Sequence, residues 1–272
     1  MKAFVPTPNS MQVKWQHQWP RDGAPILRIG RAGDQLVAEW PGVAELRACP
    51  SGDWSEFRPV RAADAALASK LRDGAARALV GHLRGRITLH GSAVLFGDAA
   101  LVFIGDSGTG KSTTAANLCA TLGVGLLADD MAGIEVRGTE HFVVPTDKAN
   151  WLAPDALESF GLPVNGPGKT PVSPARLGSG SGRLTALIKL EFDESAVSSF
   201  RLRGCAAFAA LSRAMVRFEL DDPAVVLRDF DRLSKLAASV PLYTVRRSAR
   251  WSEVQAVRDL SLHLLQSHQA LR

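Results

Sequence analysis

The densest run of chemistry-bearing residues is Gly105-Asp106-Ser107-Gly108-Thr109-Gly110-Lys111-Ser112. It reads G-x-x-x-x-G-K-[ST], with an apolar run at 101–104 ahead of it and a helical pattern behind. In that pattern Ala115, Leu118, Cys119 and Leu122 recur on one face. Glycines at 105, 108 and 110 let main-chain N–H groups turn onto phosphate oxygens with no Cβ in the way. The N-terminus of the following helix adds partial positive charge at the same point. Lys111 is placed to neutralise β- and γ-phosphates and Ser112 to offer its hydroxyl to Mg²⁺. Asp106, Ser107, Thr109 and Thr113 complete the stretch assigned to the nucleotide. The expectation is a nucleoside-triphosphate site.

Phosphoryl transfer needs carboxylates as well. Residues 125–130 form an apolar run that ends in Asp129-Asp130. An aspartate at the C-terminal end of a strand can complete a Mg²⁺ shell, and a second can accept the proton of the attacking hydroxyl. Neighbours on a regular strand face opposite ways, so at least one of the pair must lie past the strand's end for both to serve. A third group follows from register. Two apolar runs, 86–96 and 99–104, flank Gly97-Asp98, a hairpin signal. A two-residue turn sets Phe96 against Ala99, Val94 against Leu101 and Gly91 against Ile104. His90 then lies opposite Gly105, with its imidazole at the phosphates.

His90-Gly91, the hairpin strand, GDSGTGKS at 105–112 and LADD at 127–130 together resemble the HPr kinase/phosphorylase family. Its relatives include small kinases found beside ribosomally made peptides such as lasso peptides. The match covers residues 85–135. It implies a P-loop nucleotide-binding α/β core with a mixed sheet, ATP with Mg²⁺ as cofactors, and transfer of the γ-phosphoryl group to a serine hydroxyl. By position it implies Asp130 as general base, Asp129 with Ser112 on the metal, Lys111 on the β/γ-phosphates, and His90 near the transferred group. The family assembles as hexamers, so the resemblance implies a homo-oligomer. Thr113 stands where the family usually carries glutamate, which points away from phosphorolysis and from HPr itself. The expected acceptor is a peptide or small protein, a ribosomally made precursor peptide among the candidates. The rival readings are a nucleotide-gated binding protein and a small-molecule kinase.

These groups need a scaffold. Residues 1–80 read as a small β-rich module, with strands at 11–15, 26–29 and 35–40 and a linking helix over 61–82 (Ala63, Leu67, Leu71, Ala75, Leu79). Residues 81–272 read as the kinase domain. Strands are expected at 134–136, 142–144, 184–192 and 240–245, with a short helix at 154–161. A helix over 203–217 is expected to bury Cys205, Phe208, Ala209, Ser212, Met215 and Val216. Asp222-Pro223 should open another helix as cap and first residue, and 251–265 should close the chain behind a Ser252/Gln255 capping box. The Gly/Pro/Ser-rich stretch 165–182, with Lys169 and Arg176, reads as a disordered excursion or an active-site lid.

Composition narrows the classes. The 272 residues are 46% hydrophobic and 22% charged, ordinary for a chain that buries a core. No apolar run approaches 18 residues, and residues 1–20 lack the continuous apolar core of a secretory signal. Three scattered cysteines argue against a zinc knuckle or disulfide framework and for a reducing cytoplasm. The net charge of +5 allows a patch for nucleic acid, but an acidic protein or peptide or the nucleotide's own phosphates explains it as well, and neither nucleic acid nor membrane is expected as a partner.

Overall fold

The computed structural model describes residues 12–20, 22–194, 197–218, 222–248 and 250–270. Residues 1–11, which include the start of the strand read at 11–15 and most of the stretch read as lacking a secretory signal, lie outside these. The chain divides into two compact units, Met1–Arg84 and Gly85–Arg272.

The first unit is an antiparallel meander of β1 (Lys14–Trp19), β2 (Leu27–Ala32), β3 (Gln35–Trp40), β4 (Ala44–Ala48) and β5 (Ser55–Pro59), paired in that order. Strand alternation explains β4, where Ala44, Leu46 and Ala48 turn inward and Glu45 and Arg47 do not. The helix read over 61–82 is interrupted. It comprises α1 (Ala65–Leu71), a wider π turn at Arg72–Ala76, and α2 (Arg77–Leu83). Gly74 sits inside that wider turn, where the weak helix propensity of glycine gives the α ladder least to defend. Asp64 starts α1 by accepting from Ala66 N (2.7 Å) and Leu67 N (3.2 Å).

The second unit is mixed α/β. Its strands are β6 (Ile87–Phe96), β7 (Ala99–Ile104), β8 (Gly125–Ala128), β9 (Met131–Arg137), β10 (Glu140–Val144), β11 (Asn150–Leu152), β12 (Thr170–Val172), β13 (Gly182–Phe192), β14 (Ser198–Leu202) and β15 (Leu242–Arg247). The main sheet runs β10-β9-β6-β7-β13-β15-β14, with β8 also on β6 and β10 also meeting β13. Among the described residues β7–β13 and β13–β15 pair in parallel and the other strand pairs of the sheet are antiparallel. Helices α3 (Lys111–Leu122) and α7 (Trp251–Ala270) cover one face; α5 (Gly204–Ala214) and α6 (Pro223–Ser239) cover the other. The short α4 (Pro154–Ser159) lies at the side of α3.

Strand β7 shows why Ala-Ala-Leu-Val-Phe-Ile reads as continuously apolar. Ala99, Leu101 and Phe103 pack with Leu118 and Val257, while Ala100, Val102 and Ile104 pack with Leu211 and Leu236. Both faces of the strand are buried, so alternation has no polar side to show. The β6–β7 register is the expected one, with Phe96 against Ala99, Val94 against Leu101 and Gly91 against Ile104. Asp222 caps α6 by accepting from Ala224 N (2.9 Å), with Pro223 at the first position.

Three expectations are corrected, and one strand was not foreseen. Helix α5 buries Ala207, Ala210 and Leu211, leaving Cys205 and Ala209 exposed; the apolar residues surround this helix and do not define one face. Helix α7 starts at Trp251, so Ser252 is already inside it and cannot cap. The reciprocal bond is made instead by Glu253 Oε2, which accepts from Ser248 N (2.5 Å). Strand β14 was not expected, because its first four residues, Ser198 to Arg201, are all solvent-facing and show no alternation. Residues 165–182 are not a free excursion: β12 pairs with β11, and Gly178 N donates to Leu126 O (2.8 Å) while Leu126 N donates to Arg176 O (3.0 Å). Among the described residues no helix is long and apolar enough to cross a membrane.

Candidate functional site

The site is built at the C-terminal end of β7. The loop leaves the strand at Gly105, whose φ of 142° and position against Leu190 O exclude a side chain; a Cβ there would lie 2.5 Å from that carbonyl oxygen. Thr109 Oγ1 donates back to Asp106 O (2.9 Å), tightening the turn. Gly110, left-handed, then sets the start of α3. Lys111 is 7% exposed, and its ammonium donates to Gly105 O and Asp106 O, both at 2.8 Å. Burial lowers the affinity of this amine for its proton, Lys169 adds to the effect, and Asp130, Asp106 and Asp129 oppose it.

The carboxylate pair lies between β8 and β9, past the end of the first strand. Asp130 takes φ 86°, unusual for a residue other than glycine, and its carbonyl accepts from Gly91 N (3.2 Å). Its carboxylate lies 3.2 Å from His90 Nδ1. Burial, then the charge of Lys111, hold the His90 imidazole below its ordinary proton affinity against the pull of Asp130, which favours the neutral ring at neutral pH.

Asp129 is 1% exposed. One carboxylate oxygen accepts from Ser92 Oγ on β6 (2.5 Å) and the other from Trp151 N on β11 (2.6 Å). The Ser112 hydroxyl lies near enough to favour its ionised form. Burial pushes this carboxyl up, and Ser92, Trp151 and Ser112 pull the other way. A carboxylate and a hydroxyl so placed are a pair of hard oxygen donors. That set suits Mg²⁺, which takes one or two protein ligands and leaves the rest of its shell to water and phosphate. Among the described residues no three His, Cys, Asp or Glu side chains gather into a metal cage.

A cavity of about 280 Å³ joins these parts. Ser107, Gly108, Gly110, Lys111, Ser112 and Thr113 form one wall, and His90 and Asp130 form another. Gly105, Asp106 and Thr109 shape the loop from behind through the bonds above. Trp151, Asp155 and Lys169 close the third side, so Lys169, from the stretch read as lid or excursion, does reach the site.

Sequence reasoning missed Ser92, the Trp151 main chain and Asp147. Asp147 Oδ2 accepts from Asp129 N (2.8 Å) and Thr146 Oγ1 (2.9 Å), which anchors the turn that presents the pair. Burial, with Asp129 and Asp130 nearby, pushes the Asp147 carboxyl up to about 7. Between the ordinary value of 3.8 and about 7 the folded chain keeps a proton that the unfolded chain has lost. Stability therefore falls as pH rises through that window, and the whole penalty is present above it. Asp147→Asn keeps an acceptor and cannot ionise. It is expected to flatten this part of the profile and to raise stability at pH 8 relative to pH 5; urea midpoints of the two chains at both pH values check it.

No family model and no curated protein matches this sequence. Among solved structures the chain has a distant likeness to the Hpr(Ser) kinase/phosphatase from Coxiella burnetii, at 11% identity and a TM-score of 0.35, spanning 67% of this chain and 96% of that one.

Proposed function

We propose that this chain is an ATP-dependent phosphotransferase that moves the γ-phosphoryl group to a serine-type hydroxyl of a peptide or small protein. The observation that supports it most is Asp130. A binding protein needs the glycine loop and Lys111, but it has no use for an accessible carboxylate held at φ 86° beside an imidazole in the same cavity. Such a backbone position costs on the order of 1 kcal/mol or more, and strain of this kind clusters where chemistry is done.

In this reading the loop amides and Lys111 hold the triphosphate, and Asp130 takes the proton from the acceptor hydroxyl. The acceptor oxygen bonds to the γ-phosphorus as the bond from that phosphorus to the β-bridging oxygen breaks, and ADP leaves with the electron pair. Ser112 and Asp129 would hold Mg²⁺, which supplies charge neutralisation on the phosphate oxygens. Neutral His90, whose Nδ1 lies 3.2 Å from the Asp130 carboxylate, gives its one N–H to that base and orients it beside the transferring group. The exposed Arg201, Arg203, Arg213 and Arg217 support an acidic acceptor. Incubation with γ-labelled ATP, Mg²⁺ and serine peptides of acidic or neutral flanks tests this. Label is expected on the serine of the acidic peptide. Label that stays on bound nucleotide with every peptide would leave only a nucleotide-binding role.

A further inference from the structure

The structure places one cation in the second unit where none was expected. Arg247 ends β15, its side chain is 3% exposed, and it has no carboxylate partner among the described residues. Its Nη1 donates to Ser248 O (2.9 Å) and its Nη2 to Thr109 O (3.2 Å), inside the glycine loop. The guanidinium lies over the Phe192 ring at 5.0 Å, and its Nε is buried without a hydrogen-bond partner. The acid whose charge acts on it, Glu253, is bonded to Ser248 N. A buried cation without a counter-charge is costly, and an apolar side chain of similar volume would remove that cost.

Its position shows what it does instead. Nη2 lies 2.3 Å from where a Cβ on Gly110 would sit, so the guanidinium fills the space that this left-handed glycine leaves behind the loop. The Thr109 carbonyl and the Gly110 N–H are two ends of one peptide group. Donation to the carbonyl polarises that group and makes its N–H a stronger donor on the opposite, phosphate-facing side. We propose that Arg247 is a positioning residue for the triphosphate: it fixes the glycine loop from behind and supplies the positive charge that bound phosphates neutralise. This rests on the nucleotide reading of the site and adds a residue 138 positions from its loop partner.

The test is equilibrium titration of the full chain with ATP, ADP and AMP, each with Mg²⁺. Arg247→Met keeps an apolar stem of similar length and removes the guanidinium fork, with its stack on Phe192. ATP binding is expected to weaken about tenfold, ADP binding less and AMP binding least. Arg247→Lys, which keeps the charge, is expected to recover part of the ATP loss. A purely structural role would weaken all three alike, and that result, or no loss at all, overturns the proposal. If Arg247→Met does not fold, the ATP-against-AMP ratio of Arg247→Lys is read in its place, and failure of both to fold also overturns it. A parent chain that binds none of the three nucleotides would remove the nucleotide reading itself, and this inference with it.

Discussion

Lys111→Ala is expected to bind ATP about a hundredfold or more weakly than the parent chain while remaining folded. In the free chain the ammonium donates to Gly105 O and Asp106 O. Those carbonyls belong to a loop that borders the cavity, so water can replace the lost donor and the fold gives up little. The triphosphate has no such substitute. Charge-assisted hydrogen bonds from a largely buried ammonium to phosphate oxygens are worth about 1.5–3 kcal/mol each, and two of them make a factor of about a hundred or more. Calorimetric titration with ATP and Mg²⁺ measures the loss, and a urea unfolding curve shows whether the fold is kept. Affinity within threefold of the parent would mean that the triphosphate does not lie on this loop.

What the sequence disclosed here was local. The glycines, Lys111 and Ser112 are contiguous, and the β6–β7 register follows from a two-residue turn between apolar runs, so both could be read directly. Strand alternation also required at least one of Asp129 and Asp130 to lie past the strand's end for both to serve, and both lie between β8 and β9, with a left-handed turn at Asp130. The hidden parts are those that distant strands deliver. Ser92 reaches Asp129 across 37 positions, Asp147 across 18 and Trp151 across 22, and none carries a spacing that marks it. The disordered alternative for residues 165–182 failed for a related reason. Glycine, proline and serine offer no apolar pattern, yet β12 and the 176–178 segment are fixed by main-chain hydrogen bonds that need no particular side chains. Helix α5 failed in the opposite way, since apolar residues all round it made any face look buried.

Asp130→Asn carries the second large expectation: turnover should fall about a hundred- to a thousandfold with ATP affinity nearly unchanged. The substitution is chosen for its backbone. Asparagine tolerates positive φ about as well as aspartate, so the 86° turn and the Gly91 N to Asp130 O bond survive, whereas alanine would add strain to the chemical loss. The amide keeps the size of the carboxylate beside His90 but cannot take a proton. It also removes the charge that raises the His90 proton affinity, so the imidazole stays neutral to still lower pH. The ring therefore does not supply a replacement cation, and the lost rate reports the missing base. Asp129→Asn should behave differently, because Asp129 faces Ser92, Ser112 and the Trp151 N–H and not the open cavity. Its defect should appear as a raised Mg²⁺ requirement, and excess Mg²⁺ should recover part of the rate. Kinetics over a Mg²⁺ series for the two variants separate the roles. Near-normal turnover in Asp130→Asn, or Mg²⁺ recovery in Asp130→Asn and not in Asp129→Asn, would take the proton-accepting role away from Asp130 and pass it to its neighbour.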